Sequence, residues 1–114
     1  MKTVFSMAAA AIAMTALPAA GQGVAPPPAF LQRDKGHCLA CHQVPEGAGP
    51  ASRADLGPPL QGARMRELGR ARLREVIADP TQANANTVMP PYGKHRILEP
   101  AEIDRVVEYL HALP

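Results

Sequence analysis

Two thiols and an imidazole fall within one short run of this 114-residue chain, Cys38-Leu39-Ala40-Cys41-His42. A thiol adds across a vinyl group to give a thioether, and two residues between the cysteines match the vinyl separation of a haem when the segment is helical. The run therefore reads as a c-type haem attachment site. His42 then lies under the ring, where its neutral imidazole can bind the iron as proximal ligand. A thioredoxin-like Cys-x-x-Cys needs a preceding strand in a βαβ context, whereas this one follows Phe30-Leu31-Gln32-Arg33-Asp34-Lys35-Gly36, which reads as a short polar helix. A structural zinc site wants four ligands at paired spacings, and there is no third cysteine. A plain disulfide leaves His42 without a role.

A second ligand for the iron is sought among the sulfur and imidazole side chains further on. Val88-Met89-Pro90-Pro91-Tyr92 follows a polar, asparagine-rich stretch, Thr81 to Thr87. A methionine before two prolines cannot sit inside a regular helix, because proline lacks the amide and clashes with the preceding turn. Such rigid, irregular backbone suits holding a thioether over the open face of the iron, and His/Met ligation raises the reduction potential. Met89 is the leading candidate, with Met65, His95, His111 and an open sixth site as rivals. On the proximal side, Leu56-Gly57-Pro58-Pro59-Leu60 is stiff and extended. The Pro58 carbonyl is placed to accept the Nδ1–H of His42, which would set the ring's tautomer and orientation; an ordinary proline turn is the competing reading.

The elements that must position these residues are short. Ala29 to Lys35 is a helix candidate that Gly36 ends, and Gln43 to Asp55, with Pro45, Gly47, Gly49 and Pro50, is loop. Arg64 to Ala78 reads as helical in its second half, from Leu73, Val76 and Ile77, stopped by Asp79-Pro80. Its five arginines between Arg64 and Arg74 read as a solvated face balanced by Glu67 and Glu75, with a docking face for an acidic partner as the alternative. A last helix starts at Glu99-Pro100, with Glu102 in its first turn and Ile103, Val106, Val107 and Leu110 as its apolar stripe. Tyr109 is expected to fill space against the N-terminal helix or the haem edge.

Residues 1–20 carry a positive start at Lys2, an alanine-rich apolar run from Val4 to Leu17 and the small residues Ala19 and Ala20, the pattern of a cleaved signal peptide. An uncleaved membrane anchor is the alternative, but the apolar run is short of the ~20 residues a bilayer span needs. Residues 21–28 read as a flexible lead-in and 29–114 as one domain. The expected location is periplasmic, the side of the bacterial inner membrane on which haem is attached covalently. The roughly ninety remaining residues are few for a self-sufficient core, and they hold only Phe30, Tyr92 and Tyr109 as aromatics, with no tryptophan. A buried haem supplies the missing apolar bulk. The formal charge of +2 singles out no partner, and no aromatics interleave the basic residues as nucleic-acid binding would require.

The order of helix, Cys-x-x-Cys-His, Gly-Pro-x-Leu loop, middle helix, Met-Pro loop and C-terminal helix resembles class I cytochromes c, which implies a small all-α fold wrapped around one covalently bound haem. The flanking residues Lys35-Gly36-x-Cys38, Leu56-Gly57-Pro58-Pro59-Leu60, Leu73-Arg74-x-Val76-Ile77-x-Asp79, Thr87-Val88-Met89-Pro90 and Glu102-Ile103-x-x-Val106-Val107-x-Tyr109-Leu110 resemble the SoxX family, the monohaem subunits of the SoxAX cytochromes of bacterial sulfur oxidation. The resemblance implies Cys38 and Cys41 as attachment sites and His42 and Met89 as axial ligands. It also implies a SoxA-type partner carrying a catalytic cysteine-ligated haem, and a SoxYZ carrier whose cysteine the pair couples to thiosulfate, an L-cysteine S-thiosulfotransferase activity. This chain would take up the released electrons and pass them to a soluble cytochrome c. It has no further cysteine for the sulfur chemistry, and Gly93 to Leu98 is shorter than the loop that family often carries. A free-standing electron shuttle, or a sensor or enzyme with an open iron site, are the other function classes.

Overall fold

A computed structural model describes residues 24–114. The export signal expected over 1–20 lies outside the described residues, as do residues 21–23 of the lead-in. The described chain is helical, with no strand among its residues, and runs α1 (Pro28–Leu31), a 3-10 turn (Cys38–Ala40), α2 (Gly62–Ala78), a second 3-10 turn (Pro80–Gln82) and α3 (Pro100–His111). Among these residues no helix is long and apolar enough to cross a membrane.

α1 opens on Pro28, the last residue of the expected lead-in, whose fixed φ suits a first helical position. It is shorter than the Ala29 to Lys35 expected from sequence. The backbone turns extended at Gln32 (ψ 134°) because Gln32, Arg33 and Asp34 are solvent-exposed and have no apolar surface to pack. Gly36 then folds back so that its N–H donates to the Ala29 carbonyl at 2.9 Å. A Cβ on Gly36 would stand 2.5 Å from that oxygen, so the approach requires glycine.

α2 starts at Gly62, so helix covers the first half of the segment as well as the expected second, and it is two helical pieces joined at Gly69 (φ 79°, ψ 160°), a conformation effectively reserved for glycine. The break lets the first piece bury Met65 while the second buries Leu73 and Ile77; Val76 is only half-buried. Asp79 ends the helix, and its carboxylate accepts from the Thr81 N–H and hydroxyl to cap the next turn. α3 is closed at its start by reciprocal bonds in which Glu102 accepts from the Glu99 N–H at 2.8 Å and Glu99 accepts from the Glu102 N–H.

α3 packs against both other helices through the buried residues Ile103, Val106, Val107, Tyr109 and Leu110. The Tyr109 ring meets Phe30 of α1 edge-on, with centroids 4.8 Å apart, and its hydroxyl donates to the Ala48 carbonyl at 2.8 Å. The arginines of α2 are all engaged within the chain. Arg64 pairs with Glu67 and Arg72 with Glu75, as expected. Arg70 forms a two-pronged pair with Glu108, Arg74 pairs with Asp104, and Arg66 donates to the Leu113 carbonyl, so this face also staples α2 to α3.

Candidate haem-binding cleft

The attachment run forms a single tight turn. Cys41 N–H and His42 N–H both donate to the Cys38 carbonyl, at 3.1 and 2.9 Å, which turns the two free thiols and the imidazole through one short arc. The turn is 3-10 rather than α, entered through His37 in a left-handed conformation (φ 41°). Both cysteines are half-buried as residues. Burial pushes the Cys38 thiol up to about 12, so at neutral pH it is a neutral thiol packed beside the core.

His42 is held from behind by the Gly57–Leu60 strap. Gly57 N–H donates to the Cys41 carbonyl and Leu60 N–H to the Gln43 carbonyl, both at 2.8 Å, clamping the strap to the motif. The imidazole lies directly on Gly57, where a Cβ would stand 2.6 Å from Nδ1 and 2.7 Å from Nε2. Nδ1 is 2.7 Å from the Pro58 carbonyl oxygen. A carbonyl only accepts, so the proton sits on Nδ1 and the lone pair of Nε2 is free to bind a metal. The loop between motif and strap is fixed by two side chains, Ser52 donating to the Leu39 carbonyl at 2.8 Å and Gln43 to the Ala54 carbonyl at 2.9 Å.

Met89 enters from the opposite end of the sequence. The Thr87 hydroxyl accepts from its N–H at 3.1 Å, and Pro90-Pro91 stiffen the next stretch of backbone. The chain is then pinned to the end of α2, Tyr92 N–H donating to the Ile77 carbonyl and Gly93 N–H to the Ala78 carbonyl. Tyr92 is buried, and its hydroxyl donates to the Gly36 carbonyl at 2.7 Å. Burial, followed by the neighbouring Cys38 and Cys41 sulfurs, pushes this phenol up to about 12, so it remains a donor throughout the physiological range.

These segments enclose one cleft of about 360 Å³. Cys38, Cys41, His42, Pro58 and Met89, the residues singled out from sequence, all line it. The rivals for the second axial position do not: Met65 is buried in the core, His95 is exposed on its loop, and His111 sits at the end of α3 beside Arg70. Two thiols two residues apart, an imidazole with a free Nε2 and a thioether form a donor set that fits a c-type haem. Other cleft residues were not expected as part of the site from the sequence. His37 and Tyr92 line the cleft as well, and Gly57 provides the bare surface on which the imidazole rests. Of these, only Gly57 carries a sequence signal, its place directly before Pro58-Pro59. At the mouth, Leu56 and Val88 are 72% and 78% exposed, large apolar side chains left in solvent.

The sequence model of the family described as cytochrome C oxidase, cbb3-type, subunit III matches residues 25–110. No curated protein matches the chain. The match spans most of the described residues, takes in the whole cleft and agrees with the strand-free helical fold. The chain belongs to that family and is a c-type cytochrome domain, a haem-binding protein of electron transfer.

Proposed function

We propose that this chain is an exported, monohaem electron-transfer cytochrome, with its haem attached through Cys38 and Cys41 and its iron held between His42 and Met89. The meeting of these four side chains in one cleft carries the reading. When bound, the haem supplies a one-electron ferric/ferrous couple. His42, its Nδ1 proton committed to the Pro58 carbonyl, offers Nε2 in a fixed tautomer and orientation. Met89 offers a soft thioether that favours the reduced state and raises the potential. Tyr92, buried, backs the Met89 side of the cleft, while Leu56 and Val88 at the mouth give a partner protein apolar surface to bury.

At the level of assembly, we propose the electron-transfer subunit of a periplasmic SoxAX-type complex. The flanking pattern around the motif, strap and Met89 loop supports this reading. Both cysteines of the chain stand in the attachment run, so the coupling of thiosulfate to a SoxYZ-type carrier cysteine belongs to a SoxA-type partner. This chain accepts the released electrons one at a time and hands them to a soluble cytochrome c. A second reading, a free-standing electron shuttle, is favoured by one observation: the arginines of α2 are all satisfied within the chain, which leaves no ready basic face there for a dedicated acidic partner.

The test is purification of the tagged protein from its native periplasm after growth on thiosulfate, with identification of every haem protein that remains bound. A stoichiometric partner bearing a cysteine-ligated haem supports the SoxAX reading. A lone redox-active monomer overturns it in favour of the shuttle, and a preparation without covalent haem overturns both.

A further inference from the structure

The geometry points to Tyr92 as a positioning residue, a strut that holds the Met89 loop against the attachment segment and thereby keeps the Met89 sulfur in place; this rests on the reading of Met89 as the axial ligand. Met89 itself is held weakly. Across Val88, Met89 and Pro90 the backbone has one bond, from Met89 N–H to the Thr87 hydroxyl, and no helix contains it; the flanking Thr87 N–H and Pro91 carbonyl are bonded to the Asn84 carbonyl and the His95 N–H.

The firm points come three residues later. Tyr92 N–H donates to the Ile77 carbonyl at 3.2 Å, Gly93 and Lys94 N–H donate to the Ala78 carbonyl at 3.0 Å, and the Tyr92 carbonyl accepts from Leu98 N–H at 3.0 Å. The bonds to Ile77 and Ala78 fix the loop to α2 but not to the far side of the cleft. The Tyr92 hydroxyl makes that second connection, donating at 2.7 Å to the carbonyl of Gly36, two residues before Cys38, across 56 positions of sequence.

Both ends of the strut are rigid. Tyr92 and Gly36 are buried, and Gly36 is drawn so tightly onto the Ala29 carbonyl that no side chain fits there. The Gly36 oxygen therefore cannot swing out to water if the hydroxyl is removed. It is left unpaired in the interior, and water reaches it only when the Met89 loop on the other side of the lost bond opens. The arrangement that yields first is the one with least backbone support, which swings Met89 away from the iron.

An exogenous ligand for the sixth position binds only when Met89 is off, so its apparent affinity measures the population of that state. The probe is imidazole, titrated into the ferric holoprotein and read by absorption. Loss of one buried hydrogen bond shifts such an equilibrium by about ten-fold. Tyr92→Phe, which keeps the ring and its packing, is expected to bind imidazole about ten-fold more tightly than wild type. Met89→Ala sets the upper limit, and Tyr109→Phe is the control because it deletes a similar hydroxyl–carbonyl bond, to Ala48, away from the cleft.

Tighter imidazole binding in Tyr92→Phe with an unchanged Tyr109→Phe supports the strut. An equal gain in both variants reports general loosening and overturns it. No gain in Tyr92→Phe, with a gain in Met89→Ala, overturns the strut while leaving Met89 as the ligand. No gain in Met89→Ala overturns the ligand assignment and the strut with it.

Discussion

Gly57→Ala is the smallest change that attacks the proximal side. The added methyl would stand 2.6 Å from Nδ1 of His42 and 2.7 Å from Nε2, well inside van der Waals contact. Gly57 has no left-handed backbone, so the cost is steric rather than conformational. The ring cannot simply rotate aside, because its Nδ1 is bonded to the Pro58 carbonyl and, with His42 as the proposed ligand, its Nε2 would be held by the iron. Overpacking at such a site costs about 1–3 kcal/mol, and loss of the Nδ1–H···O bond adds about 0.5–1.5 kcal/mol. A net loss near 2 kcal/mol corresponds to a fall in melting temperature of at least about 8 °C for a domain of this size. Thermal unfolding of the holoprotein followed in the haem absorption measures it. Pro58→Ala is the control: it keeps the backbone carbonyl that accepts the bond, and its effect is confined to under about 1 kcal/mol through the unfolded chain. The reduction potential moves too, upward in Gly57→Ala, because an imidazole that no longer donates from Nδ1 is a weaker donor to ferric iron. A Gly57→Ala holoprotein that melts at the wild-type temperature with an unshifted potential would refute this account of how His42 is held.

Met89→Ala is expected to lower the reduction potential and to let the reduced protein bind carbon monoxide rapidly; a spectrum identical to wild type would rule out Met89 as ligand. Replacing Cys38 and Cys41 together by alanine should leave no haem attached after acid-acetone extraction, and retained haem would count against the anchor. The carboxylates of Glu102, Glu108 and Asp79 sit below their ordinary values, held down chiefly by the Glu99 N–H, by Arg70 and by the Thr81 hydroxyl respectively. A group lowered in the folded state stabilises above its unfolded value and loses that contribution as pH falls through the folded one. The urea midpoint should therefore be level above about pH 5 and drop from about pH 4.5 downward, with a shallower drop in Glu102→Gln; a midpoint that rises on acidification contradicts the assignment.

Elements ruled by local rules were readable in advance. Pro100 with Glu102 in the first turn marked the start of α3, and its apolar stripe named the residues that are buried. Asp79-Pro80 marked the end of α2. The failures share a cause. α1 stops at Leu31 because the polar residues after it find nothing to pack against, which depends on where α3 lies. The kink at Gly69 has no local signal beyond a single glycine, and it is the need to bury Met65 and Leu73 in the same core that sets it. The arginines of α2 were matched to Glu67 and Glu75 on their own helix, whereas Arg70 and Arg74 find Glu108 and Asp104 on α3.

The same division runs through the cleft. The proposed attachment chemistry is written in the chain itself, since Cys38, Cys41 and His42 are neighbours whatever the rest of the protein does, and Pro90-Pro91 exclude Met89 from a helix in any context. Which carbonyl the imidazole reaches, which glycine it rests on and which hydroxyl ties the Met89 loop across the cleft are decided by tertiary structure. His42 meets Pro58 across 16 positions and Tyr92 meets Gly36 across 56. A hydrogen bond forms only within a few tenths of an ångström of its ideal length. Periodicity and turn chemistry fix the course of the backbone over a few residues, and the distance between remote groups is set only when the helices have packed and the loops between them have closed.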